Sequence, residues 1–96
     1  MRGKLAVIGT GTMGESILRG ILQARLFARG EIRATARSEA RAAAVARRYR
    51  VRAGTDNAEA VRGADTVILC VKPVQVLPEL RRLVEQGAVS RPQLFI

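Results

Sequence analysis

Apolar residues along the chain fall into two alternating patterns, short continuous runs and stretches in which they recur every three or four positions. The continuous run at 5–8 has the length and composition of a parallel strand covered on both faces, and 66–71 is predicted to be another strand. Shorter or more mixed runs predict further strands at 31–36, 51–53 and 93–96. The stretches between them have helical spacing. Alternating strands and helices of this length predict an α/β fold with a parallel sheet and right-handed crossovers.

Polar residues mark where the predicted helices begin. Ser38 is expected to cap an alanine-rich helix that ends near Tyr49. The spacing of Asp56 and Glu59 is that of a capping box, and it predicts a short helix that Gly63 ends. A last amphipathic helix follows Lys72-Pro73, with Pro78 expected in its first turn. Its apolar face is predicted to comprise Val76, Leu77, Leu80, Leu83 and Val84.

The 96 residues suffice for one small domain. No apolar run approaches the roughly 20 residues that a membrane span needs, and the start lacks the pattern of a signal peptide, so we expect a cytoplasmic protein. The sequence stops inside an apparent strand without a polar tail. We therefore expect residues 1–96 to form an incomplete, truncated domain that ends at the start of a fifth strand.

Reactive side chains are few. The chain has no histidine and a single cysteine, which excludes a histidine general base, an internal disulfide and a cysteine metal cluster. Cys70 lies within an apolar run, where a small buried side chain is a better interpretation than a reactive thiol. We expect neither a catalytic residue nor a metal site within this chain.

The net charge is +9, from 17 basic and 8 acidic residues, and all the basic residues except Lys4 and Lys72 are arginines. Such a balance suits nucleic acid, an acidic surface or a phosphate-bearing ligand. The arginines are scattered along predicted helices, which favours solvent-exposed faces over a nucleic-acid patch. We therefore expect neither a nucleic-acid nor a membrane partner.

A glycine motif follows the first strand. Residues 9–14 read G-T-G-T-M-G, which matches G-x-G-x-x-G between a strand and a helix and indicates a Rossmann-type, doubly wound dinucleotide-binding domain. Gly9 allows the tight turn, Gly11 lets a diphosphate approach the backbone, and Gly14 lets the helix pack on the strand. The alternative is a plain strand-to-helix turn. The residues expected to contact the cofactor here are Gly9, Thr10, Gly11, Thr12, Met13 and Gly14.

The end of the second predicted strand bears on cofactor choice. NAD-binding domains place a carboxylate there for the ribose hydroxyls, whereas this strand ends in Arg37 and Ser38, and Glu39 falls inside the next helix. A guanidinium can hold a 2′-phosphate with two parallel hydrogen bonds, and Arg41 could add a second charge. The alternative is that both arginines simply face solvent. This pattern favours NADP over NAD, with NAD still possible.

Two further segments are expected at the mouth of the sheet. Val71-Lys72-Pro73 ends the strand predicted to lie beside the first, where the strand order reverses and ligands bind. Lys72 either reaches a phosphate or ribose or faces water. Asn57 begins a helix at the same mouth, where it is either an adenosine contact or an N-cap, and the two roles can coexist.

Taken together, these residues resemble the N-terminal domain of the delta-1-pyrroline-5-carboxylate reductases. The match covers essentially the whole chain but only the front portion of a typical member. Thr12 departs from the asparagine or glutamine often found at its position. The matching segments are Val7–Glu15, Arg19-Gly20, Thr55–Val61, Ala64-Asp65 and Val71–Pro73.

This resemblance implies an enzyme of proline biosynthesis that reduces the C=N bond of 1-pyrroline-5-carboxylate with NADPH or NADH, giving L-proline. It places the cofactor on residues 9–13, Arg37, Ser38, Asn57 and 71–73. It also implies a C-terminal helical domain, absent from this chain, that carries the substrate site and the interface of a homo-oligomer. The isolated chain is therefore expected to be inactive.

Two other functions fit the same motifs. One is a different NADP-dependent reductase or dehydrogenase with a similar front half, such as a beta-hydroxyacid dehydrogenase or a deazaflavin-linked NADP reductase; a paralogue that no longer reduces pyrroline-5-carboxylate also fits. The other is a nucleotide-sensing domain without catalysis. The segments around Asn57 and Val71-Lys72-Pro73 favour the pyrroline-5-carboxylate reductases.

Overall fold

The computed structural model describes residues 3–89 and 93–96 and contains one parallel sheet with the strand order β3-β2-β1-β4-β5. The five strands are β1 (Leu5–Ile8), β2 (Ile32–Thr35), β3 (Arg52–Gly54), β4 (Thr66–Leu69) and β5 (Leu94–Phe95). The helices are α1 (Thr12–Gln23), α2 (Glu39–Tyr49), α3 (Asn57–Val61) and α4 (Pro73–Glu85). These elements confirm the predicted Rossmann-type α/β fold.

The sheet is covered on both faces. Alternate residues of β1 point to opposite sides, so that Leu5 and Val7 join a core with α1 and α2, while Ala6 and Ile8 join a second core with α3 and α4. Both cores are mainly aliphatic, with Tyr49 and Phe27 the aromatic members of the first. The strand order reverses between β1 and β4, as expected.

The helix starts predicted from capping residues agree with the structure. The Ser38 hydroxyl oxygen accepts a hydrogen bond from the backbone N–H of Arg41, and Asp56 accepts one from the N–H of Glu59. In the part of the chain that the structure describes, no helix is long and apolar enough to cross a bilayer. Cys70 is half-buried rather than fully buried, and this burial raises the pKa of its thiol.

Two predictions about α4 were wrong. Pro78 is the sixth residue of the helix rather than part of its first turn, because the helix already begins at Pro73. Leu77 and Val84 are exposed by 73% and 60%, although the pattern placed them on the buried face. The sheet covers α4 from one side only, and Leu83 is the apolar residue that the helix buries there.

Candidate nucleotide-binding site

Two of the three motif glycines are required by the protein's own packing. Gly9 has a φ of +89°, and a Cβ there would lie 2.9 Å from the carbonyl oxygen of Cys70. A Cβ on Gly14 would lie 2.3 Å from the carbonyl oxygen of Gly9. A side chain on Gly9 would collide with the backbone that follows β4, and one on Gly14 would push α1 away from the end of β1, so these glycines serve the turn itself.

Gly11 differs from the other two. Its backbone is extended with a φ of −80°, so no positive φ calls for a glycine, and a Cβ there would meet no atom within 4 Å. The fold therefore does not need a glycine at this position. What the missing side chain leaves is bare backbone directly before the first turn of α1, where a ligand can approach closely.

The start of α1 presents unpaired backbone donors beside Gly11. The first helical hydrogen bond runs from the N–H of Glu15 to the carbonyl oxygen of Gly11, at 2.9 Å. The N–H groups of Thr12, Met13 and Gly14 come before it, and within residues 3–89 and 93–96 no partner occupies them. Because Thr12 and Met13 are exposed, this positive end of the twelve-residue helix faces solvent and suits an anion.

Thr10 anchors the glycine turn to β2 through hydrogen bonds. It is buried, and both its N–H and its hydroxyl donate to the carbonyl oxygen of Thr35, at 2.7 and 2.8 Å. The Thr35 hydroxyl oxygen in turn accepts a hydrogen bond from the N–H of Gly9 at 3.1 Å. Thr10, which the motif included among the cofactor contacts, has both donors occupied and fixes the glycine turn to the end of β2.

A buried carboxylate, which the sequence did not reveal, fastens α1 to α2. Glu15 accepts hydrogen bonds from the guanidinium groups of Arg41 and Arg48, at 2.5 and 2.6 Å, and from the Tyr49 hydroxyl at 2.6 Å. The Tyr49 hydrogen bond, then those of Arg48 and Arg41, lower the pKa of Glu15 from 4.5 to about 2, although burial opposes the shift. Four residues of two helices thus form one network.

The two arginines expected near a 2′-phosphate lie in different surroundings. Arg41 donates to Glu15 and, through Nε, to the carbonyl oxygen of Thr10 at 3.1 Å, so it braces the turn and is not free to add a second phosphate charge. Arg37 is exposed and has no hydrogen-bonding or ionic partner in the described part of the chain. Ser38 lies next to it, at the cap of α2.

A cleft of about 390 Å³ opens at the carboxyl ends of the strands, next to the glycine turn. It brings together four of the predicted site residues, namely Gly9, Arg37, Asn57 and Val71. Its opposite wall is part of α4 and includes Val74, Pro78, Glu79 and Arg82. Lys72 and Pro73 are exposed at the first turn of α4, where Lys72 is the N-cap and Pro73 the first helical residue.

The N-cap of α3 is Asp56, so the interpretation of Asn57 as an N-cap was wrong. As the first residue of the helix, Asn57 directs its side chain across to α4. Its amide nitrogen donates to Oε1 of Glu79 at 2.5 Å. The amide oxygen of Asn57 remains available in the cleft.

Glu79 and Arg82 were not predicted as site residues. On a helical projection they are ordinary charged positions of α4, and only the docking of this helix beside α3 brings them to the cleft. Glu79 is 9% exposed, and its Oε2 is buried without a partner among the described residues. A buried unpaired carboxylate oxygen is uncommon in folded proteins.

These features fit a dinucleotide. The unpaired amides at α1, with open space before Gly11, suit a diphosphate. The cleft beside them has apolar side chains for a flat ring and the free Arg37 for an additional phosphate. Each position predicted for the cofactor lies on the turn, in the cleft or next to one of them.

Comparisons with known proteins agree with this geometry. The family model described as "NADP oxidoreductase coenzyme F420-dependent" matches residues 4–92. A pyrroline-5-carboxylate reductase of Corynebacterium melassecola is 43% identical over 89 residues, which are 90% of this chain and 33% of the relative. The chain thus spans about a third of the length of this relative.

Solved structures show the same fold. A pyrroline-5-carboxylate reductase from Coxiella burnetii matches 88% of this chain and 31% of its own, with 27% identity and a TM-score of 0.77. The Plasmodium falciparum pyrroline carboxylate reductase with NADP bound matches 98% of this chain and 32% of its own, with 21% identity and a TM-score of 0.75. The resemblance seen in the motifs is therefore confirmed.

Proposed function

Because the chain belongs to the coenzyme F420-dependent NADP oxidoreductase family, we propose that it is the cofactor-binding part of an NADPH-dependent enzyme that reduces 1-pyrroline-5-carboxylate to L-proline. The relatives named pyrroline-5-carboxylate reductase support this choice of substrate. The observation that carries the cofactor assignment is Gly11, whose missing side chain serves no packing need and lies beside unpaired helix amides. NADH is the alternative reductant.

The diphosphate of the cofactor would lie over the glycine turn. Thr12, Met13 and Gly14 would donate their N–H groups to its oxygens, Gly9 would keep the turn tight, and Gly11 would allow the close approach. The partial positive charge at the start of α1 adds to these hydrogen bonds. Thr10 would act beneath the turn, through its bonds to Thr35.

The adenosine half would occupy the cleft. Arg37 would hold the 2′-phosphate with charge-assisted hydrogen bonds, and the Ser38 hydroxyl, whose oxygen caps α2, still has its proton to donate. Asn57 and Val71, which line the cleft, would contact the adenosine. Lys72 and Pro73 would form the exposed loop next to it.

The chain's own residues would bind and orient the cofactor. A bound nicotinamide supplies the hydride that reduces the imine, whereas the protein determines which face and which substrate it meets. The described residues offer backbone amide donors and the exposed Arg37 guanidinium at the carboxyl edge of the sheet. Substrate contacts and assembly into a homo-oligomer would then be contributed by the further sequence that the longer relatives have.

A crystal structure of the chain grown with NADPH tests this placement. We expect the diphosphate within hydrogen-bond distance of the Thr12 and Met13 amides, and the 2′-phosphate next to Arg37. A dinucleotide whose phosphates lay elsewhere would overturn the proposed site.

A further inference from the structure

Glu79 is a buried carboxylate with only half of its hydrogen-bonding capacity used. Oε1 accepts the Asn57 amide at 2.5 Å, while Oε2 has no partner among the described residues. Burying such an oxygen without a partner is unfavourable, because its hydrogen bonds to water are lost and not replaced. Neither Arg37 nor Arg82, which line the same cleft, forms an ion pair with it. The fold by itself therefore does not account for this second oxygen.

The hydrogen bond between Asn57 and Glu79 also fixes the orientation of the Asn57 side-chain amide. An ionised carboxylate can only accept hydrogen bonds, so the amide nitrogen of Asn57 must face Glu79. Its carbonyl oxygen, which has no partner in the part of the chain described, is then left as an acceptor in the cleft. Glu79 and Asn57 both line the cleft, and each has one side-chain oxygen without a partner among the described residues.

We propose that Glu79, through Oε2, accepts a hydrogen bond from the adenosine half of the cofactor and thereby contributes to recognition of the base. This inference rests on the proposed function. Glu79 already lines the cleft, and the terminal torsion of a glutamate is broad, so we infer that Oε2 can reach a donor bound there.

The donors available in the adenosine half of NADPH are the exocyclic amine of the adenine and the ribose 3′-hydroxyl. Two neighbouring acceptors match an amine with two hydrogens better than a hydroxyl with one. The side chains of Val71, Val74 and Pro78 in the same cleft provide apolar surface for a purine ring. The adenine amine is thus the favoured donor to Glu79, and the ribose 3′-hydroxyl is the alternative donor.

The experiment measures dissociation constants by calorimetry for three ligands, NADPH, its hypoxanthine (deamino) analogue and its 3′-deoxy analogue. One hydrogen bond to a charged group corresponds to roughly a 10- to 100-fold change in affinity. The wild-type chain should bind the hypoxanthine analogue about tenfold or more weakly than NADPH, because the analogue has a carbonyl in place of the amine.

Substitutions connect this preference to Glu79. Glu79→Gln offers an amide nitrogen where the carboxylate had an acceptor, so it should weaken NADPH and reduce or reverse the preference against hypoxanthine. Glu79→Asp keeps the charge but draws the carboxylate back from the cleft, so it should also lose the discrimination against hypoxanthine. It provides the test if Glu79→Gln fails to fold. Glu85→Gln, an exposed change on the same helix, should bind as the wild type does.

The outcomes separate two failures. If the wild type bound all three ligands within twofold, or if both Glu79 variants kept its preferences, the role of Glu79 would be refuted while the cofactor site stood. If the wild type failed to bind NADPH at all, the proposed function itself would fall. If the wild type bound only the 3′-deoxy analogue more weakly than NADPH, and the Glu79 variants bound both equally, Glu79 would be supported with the ribose hydroxyl as its donor.

Discussion

The hydroxyl of Tyr49, at the end of α2, donates a hydrogen bond of 2.6 Å to the Glu15 carboxylate in the first turns of α1. The same carboxylate holds Arg41, which reaches past it to the carbonyl oxygen of Thr10 in the glycine turn. The second helix therefore braces the turn that would receive the diphosphate. Glu15 is thus the residue through which α1 and α2 are joined next to the glycine turn.

Replacing Glu15 with glutamine should destabilise the chain at neutral pH by about 2 kcal/mol, because three donors then meet an uncharged amide. The folded-state pKa of about 2 lies below the ordinary 4.5, so the carboxylate stabilises the fold above that ordinary value. This contribution is lost as the pH falls from about 4.5 through about 2. Urea unfolding at a series of pH values measures it.

The difference in unfolding free energy between the wild type and Glu15→Gln should therefore shrink on acidification. Glu85→Gln serves as the control, since Glu85 is exposed and its replacement should leave the profile unchanged. A difference that stayed constant down to the lowest pH would contradict the assigned network.

Arg37→Ala should weaken NADPH much more than NADH, by roughly 1.5–3 kcal/mol if its contact with the 2′-phosphate is charge-assisted. NADH lacks that phosphate and should be little affected. Arg47→Ala removes another exposed arginine, which lies on α2 and does not line the cleft, and it controls for net charge. Equal losses for both cofactors would show that Arg37 does not distinguish them.

The 96-residue chain should bind NADPH without reducing 1-pyrroline-5-carboxylate. Its described residues supply the cofactor turn and cleft, and the relatives that carry the reductase name are about three times as long. Spectrophotometric oxidation of NADPH in the presence of the imine measures this, with a full-length relative as the positive control. Turnover by the chain itself would place a complete substrate site within these residues.

Much of the fold could be predicted from local pattern. The strand runs, the Ser38 and Asp56 caps and the glycine motif each depend on residues close in sequence, and all appear where expected. The reversal of strand order between β1 and β4 followed from the general topology of such sheets. The positions of the glycine turn and of the cleft beside it could therefore be predicted from the sequence.

What the sequence missed depends on contacts between distant elements. Arg41 looked free for a phosphate because its partner Glu15 lies on another helix, 26 positions away. Glu79 joined the cleft only because α4 packs beside α3 and meets Asn57. Leu77 and Val84 shared an apolar pattern with Leu83, but the sheet covers only part of that surface. Helical spacing alone cannot determine how wide a face is buried.

The most direct test of the proposed nucleotide site is the affinity of the Gly11→Ala variant for NADPH. The new methyl group would meet no protein atom within 4 Å, so the thermal unfolding midpoint should stay close to that of the wild type. Gly20→Ala, at an equally open position within α1, should keep full affinity and gain roughly 0.5–1 kcal/mol of stability.

In calorimetric titrations, Gly11→Ala should bind NADPH at least about tenfold more weakly than the wild type, because its methyl group occupies the space of the diphosphate. A folded Gly11→Ala variant that bound NADPH as tightly as the wild type and Gly20→Ala would contradict the account.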